Sequence, residues 1–187
     1  MNSKLSTKAN TKFQVNGVNH IALVCKDMKR TVEFYTGVLG MPLIKTCALP
    51  DGGQHFFFDM GGASIAFFWF PKAPGAQPGI VTPATPMGEF SGEIVTAIGS
   101  MNHIAFDVSA ELLPEYKRRL EAAGVRVSPL VHHNDVDVGF SLDRLDRTTW
   151  CSSIYFQDPD GIQLEFAGWT RAFDSDDVAH QPEAARS

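Results

Sequence analysis

Apolar and polar positions alternate through "HIALVC" at 20–25. Ile21, Leu23 and Cys25 take one side and His20, Ala22 and Val24 the other, which is the period of a strand. The period lengthens in "MKRTVEFYTGVLG", where Met28, Val32, Tyr35 and Leu39 recur at helical spacing; Asp27 stands at the N-cap position, and Gly40 with Pro42 ends the helix. The short apolar runs "LIKTCAL", "GQHFFFD" and "ASIAFFWF" follow, parted by Asp-Gly-Gly and Gly-Gly turns, and read as three strands. The same order returns after residue 100: strand "NHIAFDV", helix "AELLPEYKRRLEAAG" closed by Gly124, then strands "VRVSPLV", "CSSIYFQ" and "GIQLEFAG". The chain is thus a doubled βαβββ unit of the α+β class. "VNHIALVC" and "MNHIAFDV" open the two copies. "FFFDMGGASIAFF" aligns with "YFQDPDGIQLEFA", setting Phe56 against Tyr155, Gly62 against Gly161 and Ala66 against Glu165.

The organisation predicted is a flexible arm over 1–14 and a single domain over 15–168, with a tail over 169–187. Module one spans 15–70 and module two 100–168. The connection between them, 71–99, is rich in proline and glycine and reads as an extended surface segment, with a flap over a cleft as its functional alternative. A second loop, 132–151, separates two strands of module two and contains "HHND", read as a solvated loop against a second metal site.

The turn "DPDG" sets the polarity of the last hairpin. Asp158, Pro159 and a left-handed Gly161 fit a three-residue loop with a glycine bulge, which pairs Asp158 with Ile162 and lays Tyr155 opposite Glu165. Ser153, Tyr155, Gln157, Gln163 and Glu165 then share a polar face, while Ile154, Phe156, Leu164 and Phe166 share an apolar one. A two-residue turn would drive Glu165 among apolar neighbours, where an unpaired carboxylate is costly. By the same alternation His103 lies with Ala105 and Asp107, opposite Ile104, Phe106 and Val108.

Composition narrows the partners. The net charge of -5 argues against nucleic acid and acidic membranes. No apolar run reaches the roughly 18 residues of a membrane span, and the polar start lacks a hydrophobic signal core. Cys25, Cys47 and Cys151 form no CxxC pair and suit a reducing cytoplasm.

Two βαβββ modules, each opened by a histidine strand, resemble the vicinal oxygen chelate superfamily of glyoxalases, bleomycin-resistance proteins and extradiol dioxygenases. The resemblance runs over "VNHIALVCKDMKRTVEFYTGVLGMPL", "MNHIAFDV" and "SIYFQDPDGIQLEF". It implies curved mixed sheets around a divalent metal, held by His20, His103 and Glu165, with Ala66 at a fourth position that cannot ligate. Two histidines and one carboxylate with open coordination positions are the pattern of non-haem Fe(II) oxygenases, so Fe(II) is favoured, with Zn, Mn, Ni or Co as alternatives. Tyr155, ten residues before Glu165 as in extradiol enzymes, is the implied catalytic hydrogen-bonding residue. The acid–base histidines of those enzymes have no counterpart in "IAFFWF" or "SLDRLDRTTW".

The implied function is a metal-dependent oxygenase acting on a small catechol-like or vicinal-oxygen substrate, as a homodimer. The alternatives are a metal-dependent lyase or isomerase, and a metal-free protein that binds an aromatic drug. Phe56, Phe58, Phe68 and Trp150 are the candidate lining of a pocket for a planar substrate; the aromatic runs that contain the three phenylalanines are otherwise core. Arg144 and Arg147 are candidates for a substrate carboxylate, with exposed loop charges as the alternative.

Overall fold

A computed structural model describes residues 17–75, 101–135, 140–142, 145–174, 176–178 and 182. The expected arm, most of the connection and Arg144 lie outside them. Strand β1 (His20–Val24) leads into helix α1 (Met28–Val32), which continues as a π-helical turn over Glu33–Val38. Asp27 caps the helix, its Oδ1 accepting the Arg30 amide at 3.1 Å. At the far end Gly40 takes φ +69 and the Met41 amide reaches the Tyr35 carbonyl, the glycine-terminated stop that the sequence predicts.

Strands β2 (Leu43–Ala48), β3 (Gln54–Asp59) and β4 (Ser64–Trp69) complete a sheet of order β1-β4-β3-β2, with β1 parallel to β4 and the rest antiparallel. Module two repeats the plan with β5 (Ile104–Asp107), α2 (Leu113–Ala122), β6 (Val131–Asn134), β8 (Thr149–Gln157) and β9 (Gln163–Trp169), and a short β7 (Phe140–Ser141) inserted beyond β6. Its order is β5-β9-β8-β6-β7, again with only the β5–β9 pair parallel. The expected duplicated α+β architecture is what the chain forms.

Helices lie over one face of each sheet. Tyr35 packs on Phe58 and Phe67, and one apolar cluster joins these to Ile104, Leu113, Ile154, Phe156 and Leu164 of module two. At Gly168 a β-carbon would stand 2.4 Å from the Ala110 backbone nitrogen, so only glycine lets the turn before α2 approach β9 this closely. The other, helix-free face of each sheet carries His20 or Glu165.

The modules also meet through the 157–162 turn. The Lys26 amide donates to Asp160 Oδ2 at 3.0 Å, and the Tyr35 hydroxyl to Asp158 Oδ2 at 3.4 Å. Asp158 is buried, and burial pushes its carboxyl up to about 6 despite amide bonds from Ile162 and Asp160. A carboxyl raised on folding stabilises the protein below its unfolded value of about 4 and loses that contribution as pH climbs through the folded value. The loss amounts to as much as about 3 kcal/mol. Asp158→Asn keeps an acceptor for both amides. It is expected to be more stable than the wild type at pH 8, by urea denaturation, with the advantage shrinking towards pH 4. A constant difference between the two curves across that range would refute this.

Two strand expectations shift. The second strand of module two is not "VRVSPLV": Pro129 interrupts it, leaving Val127 as a lone bridge to Phe156, and the ladder resumes at Val131. His132 and His133 therefore sit inside β6 rather than in a loop. In module one, β3 and β4 are joined by four residues, Met60–Ala63, where module two uses five, Asp158–Ile162. That missing residue reverses the alternation of β3 relative to the repeat alignment. Phe57, not Phe56, stands opposite Ala66, so Phe56 and Phe58 turn to the helix side.

Candidate functional site

The β8–β9 hairpin forms as its turn residues dictate: Gly161 has φ +83, the Asp158 amide donates to the Ile162 carbonyl, and Tyr155 pairs with Glu165. Alternation then brings Ser153, Tyr155 and Glu165 to the helix-free face. His103, immediately before β5, sets its Nε2 2.9 Å from Glu165 Oε2. Its Nδ1 is 2.6 Å from the Asn102 carboxamide oxygen. Glu165 is only 5% exposed. Burial alone would raise its carboxyl, but hydrogen bonds from His103, Ser153 and Tyr155 outweigh it and hold the group below the usual glutamate range. The Glu165 bond in turn raises His103, with burial opposing.

His20 repeats half of this arrangement. Its Nδ1 lies 2.8 Å from the Asn19 carboxamide oxygen, and its ring meets Phe57 edge-on at 5.8 Å. The registers coincide as well: Ala22 pairs with Ala66 as Ala105 pairs with Glu165. Yet His20 does not join the other two. Among the described residues no three histidine, cysteine, aspartate or glutamate side chains converge within the chain; of the expected trio, His103 and Glu165 meet. The modules pack through their helices and the 157–162 turn, and this packing leaves the two histidine-bearing faces apart.

The pair has the chemistry of a cation site. An asparagine oxygen on Nδ1 accepts that nitrogen's proton and orients the ring, leaving Nε2 as the ligating atom. His103 Nε2 and Glu165 Oε2, an imidazole nitrogen and a carboxylate oxygen 2.9 Å apart, would hold a divalent ion together, and such a donor set accepts first-row ions generally.

The pocket candidates divide. Phe58 is fully buried against Tyr35 and Phe67, and Phe56 packs into the same cluster, so neither lines the helix-free face. Phe68 does face that side, stacked at 3.6 Å on His55 and at 5.5 Å on Phe70. Trp150 stacks on His133 at 5.4 Å and on Trp169 at 6.1 Å. Arg147 is exposed. His132 bonds Ser152 Oγ, whereas His133 Nε2 lies 2.9 Å from the Tyr155 hydroxyl. Sequence reasoning missed His133 because it was assigned to a loop. Its signal was cross-strand: in a ladder, a histidine two positions past Val131 falls on the face of Ser153 and Tyr155.

Residues 17–166 match the family model of the Glyoxalase/Bleomycin resistance protein/Dioxygenase superfamily, and the chain belongs to that superfamily. It is 28% identical over 152 residues to the metallothiol transferase FosB of Shouchella clausii, covering 81% of this chain and 79% of FosB. It is 27% identical over 114 residues to MhqE of Bacillus subtilis, a provisionally assigned ring-cleaving dioxygenase; that match takes 60% of this chain but only 33% of MhqE. The fold is shared with FosX of Listeria monocytogenes, solved with Mn(II) and sulfate, at a TM-score of 0.52 and 22% identity over 83% of this chain and 94% of that one. Among the described residues no helix is long and apolar enough to cross a membrane.

Proposed function

We propose that the protein is a metal-dependent oxygenase of the extradiol type. It acts on a small catechol-like or vicinal-oxygen substrate, as a homodimer in which His20 of one copy completes the site formed by His103 and Glu165 of the other. The observation that carries this reading is the pair of asparagine-clamped histidines: the same local device is built twice, and only one copy meets a carboxylate. The exposed helix-free face around His20, where Val24 is 53% and Phe70 41% accessible, supports burial against a second subunit.

Three protein ligands leave coordination positions open, and Fe(II) bound there would supply Lewis-acid and redox chemistry to two substrate oxygens and dioxygen. The chain's own part is to position and to shield. Tyr155 donates a hydrogen bond to a substrate oxygen beside Glu165. The ring of Trp150, backed by Trp169, offers a flat apolar wall to a planar substrate and excludes water from that side.

Similarity to FosB over most of its length favours a second reading, metal-dependent group transfer or isomerisation without oxygen. Protein purified anaerobically and without a histidine tag is expected to contain iron and to consume oxygen with members of a catechol panel. Turnover without oxygen uptake would move the assignment to the second reading. The shared site has its own test. His20→Ala and His103→Ala proteins should each lack bound metal, yet unfolding and refolding them together should restore about a quarter of the wild-type sites, because each mixed dimer regains one intact site. No recovery in verified mixed dimers would eliminate a site built between subunits.

A further inference from the structure

We propose that His133 is a positioning residue: its Nε2–H donates to the Tyr155 hydroxyl oxygen, so that the one proton of that hydroxyl is turned into the site, on Glu165 in the free protein and on a substrate oxygen once substrate lies beside it. The inference rests on the functional reading above for its consequence, but on geometry for its substance.

The Tyr155 hydroxyl touches three groups. His133 Nε2 is 2.9 Å away, and Glu165 and Ser153 both lie within hydrogen-bond reach. A phenol has one proton to donate and can accept two bonds, whereas an ionised carboxylate only accepts. The contact with Glu165 therefore uses the tyrosine proton, and the contact with His133 must run from nitrogen to oxygen. That assigns the Nε2–H tautomer to a neutral imidazole, and burial, the main influence on His133, favours the neutral form.

The ring is held for this task. It stacks on Trp150 at 29° between planes and stands nearly perpendicular to Tyr155, at 87°, while Trp150 is itself backed by Trp169. Tyr155 is fixed from the main chain, its amide donating to Ser128 Oγ at 2.9 Å. Donation into the phenol oxygen polarises its O–H bond and makes it a stronger donor at its other end. Without His133, the same hydroxyl could turn its proton away from the site.

The tautomer can be read directly. In metal-free protein labelled with ¹⁵N-histidine, and with His133 assigned by its loss in His133→Gln, the ring shifts should show Nε2 protonated and Nδ1 bare. A bare Nε2 would overturn the proposal. The consequence is read with 4-nitrocatechol binding to Mn(II)-loaded protein. Tyr155→Phe and His133→Ala should each weaken binding about tenfold, and the double variant no further, because residues acting as one unit are non-additive. His133→Gln, whose amide N–H reaches the place of Nε2–H, should stay within about threefold of the wild type. Additive losses, or a glutamine variant as weak as alanine, would also overturn it. All His133 variants should keep the wild-type manganese content. If the wild-type protein takes up neither manganese nor 4-nitrocatechol, the functional reading fails, and the tautomer still decides the role of His133.

Discussion

Exchanging Glu165 for glutamine is expected to lower Mn(II) affinity by well over 100-fold while leaving the metal-free protein folded and modestly less heat-stable than the wild type. Partners one step removed from a metal typically contribute 10–100-fold to its affinity, and Glu165 would hold the ion itself. Glutamine keeps the shape but not the charge. Its neutral oxygen is a poorer ligand, and its amide group turns N–H donors towards His103. The stability half of the expectation follows from burial. Glu165 is 5% exposed, and its ionised form is maintained by bonds from His103, Ser153 and Tyr155 against a desolvation cost. A carboxylate held below its usual range favours the folded state at neutral pH, and glutamine gives up that contribution; the loss stays modest because His103 can shed its proton once its partner is neutral. Titration with Mn(II) and a thermal melt of the metal-free protein check both halves. Unchanged affinity would remove Glu165 from the metal site; a melting temperature above that of the wild type would mean that its bonds do not outweigh the cost of burying it.

The second large effect belongs to the core. Phe156→Ala is expected to destabilise the protein by about 3–5 kcal/mol, a large part of the roughly 5–15 kcal/mol that holds a typical domain folded. Phe156 is fully buried, its ring 5.0 Å from Phe166, its ladder partner Leu164, and its strand bridged by Val127. It projects from the apolar side of the hairpin whose other side bears Tyr155 and Glu165, so its loss leaves a cavity directly behind the site. Urea denaturation should show a lower midpoint at nearly constant slope. A cost below about 1 kcal/mol, within the range of surface changes, would mean that the helix-side face of this sheet is not the core.

Much of this was legible in local patterns, because strand alternation, helical spacing and the "DPDG" turn act over a few residues. The turn alone fixes which face Glu165 takes, and the structure pairs it with Tyr155 accordingly. Where legibility ended, the cause was a small local change with a long reach. One residue fewer between β3 and β4 than between β8 and β9 exchanged the roles of Phe56 and Phe57, and Pro129 delayed β6 until it contained His133. Neither change alters composition, and each turns side chains by a whole face.

The amino-acid sequence by itself determined the duplicated βαβββ plan, the hairpin that carries Glu165 and the two Asn-His pairs, since each depends on contacts close along the chain. Only the tertiary structure decided which of these groups meet. Packing of Tyr35 and the α1 region against the 157–162 turn unites the two modules by their helix-side surfaces. That packing joins His103 to Glu165 and His133 to Tyr155 but leaves His20 apart, because proximity between residues distant in sequence is set by how whole faces bury one another.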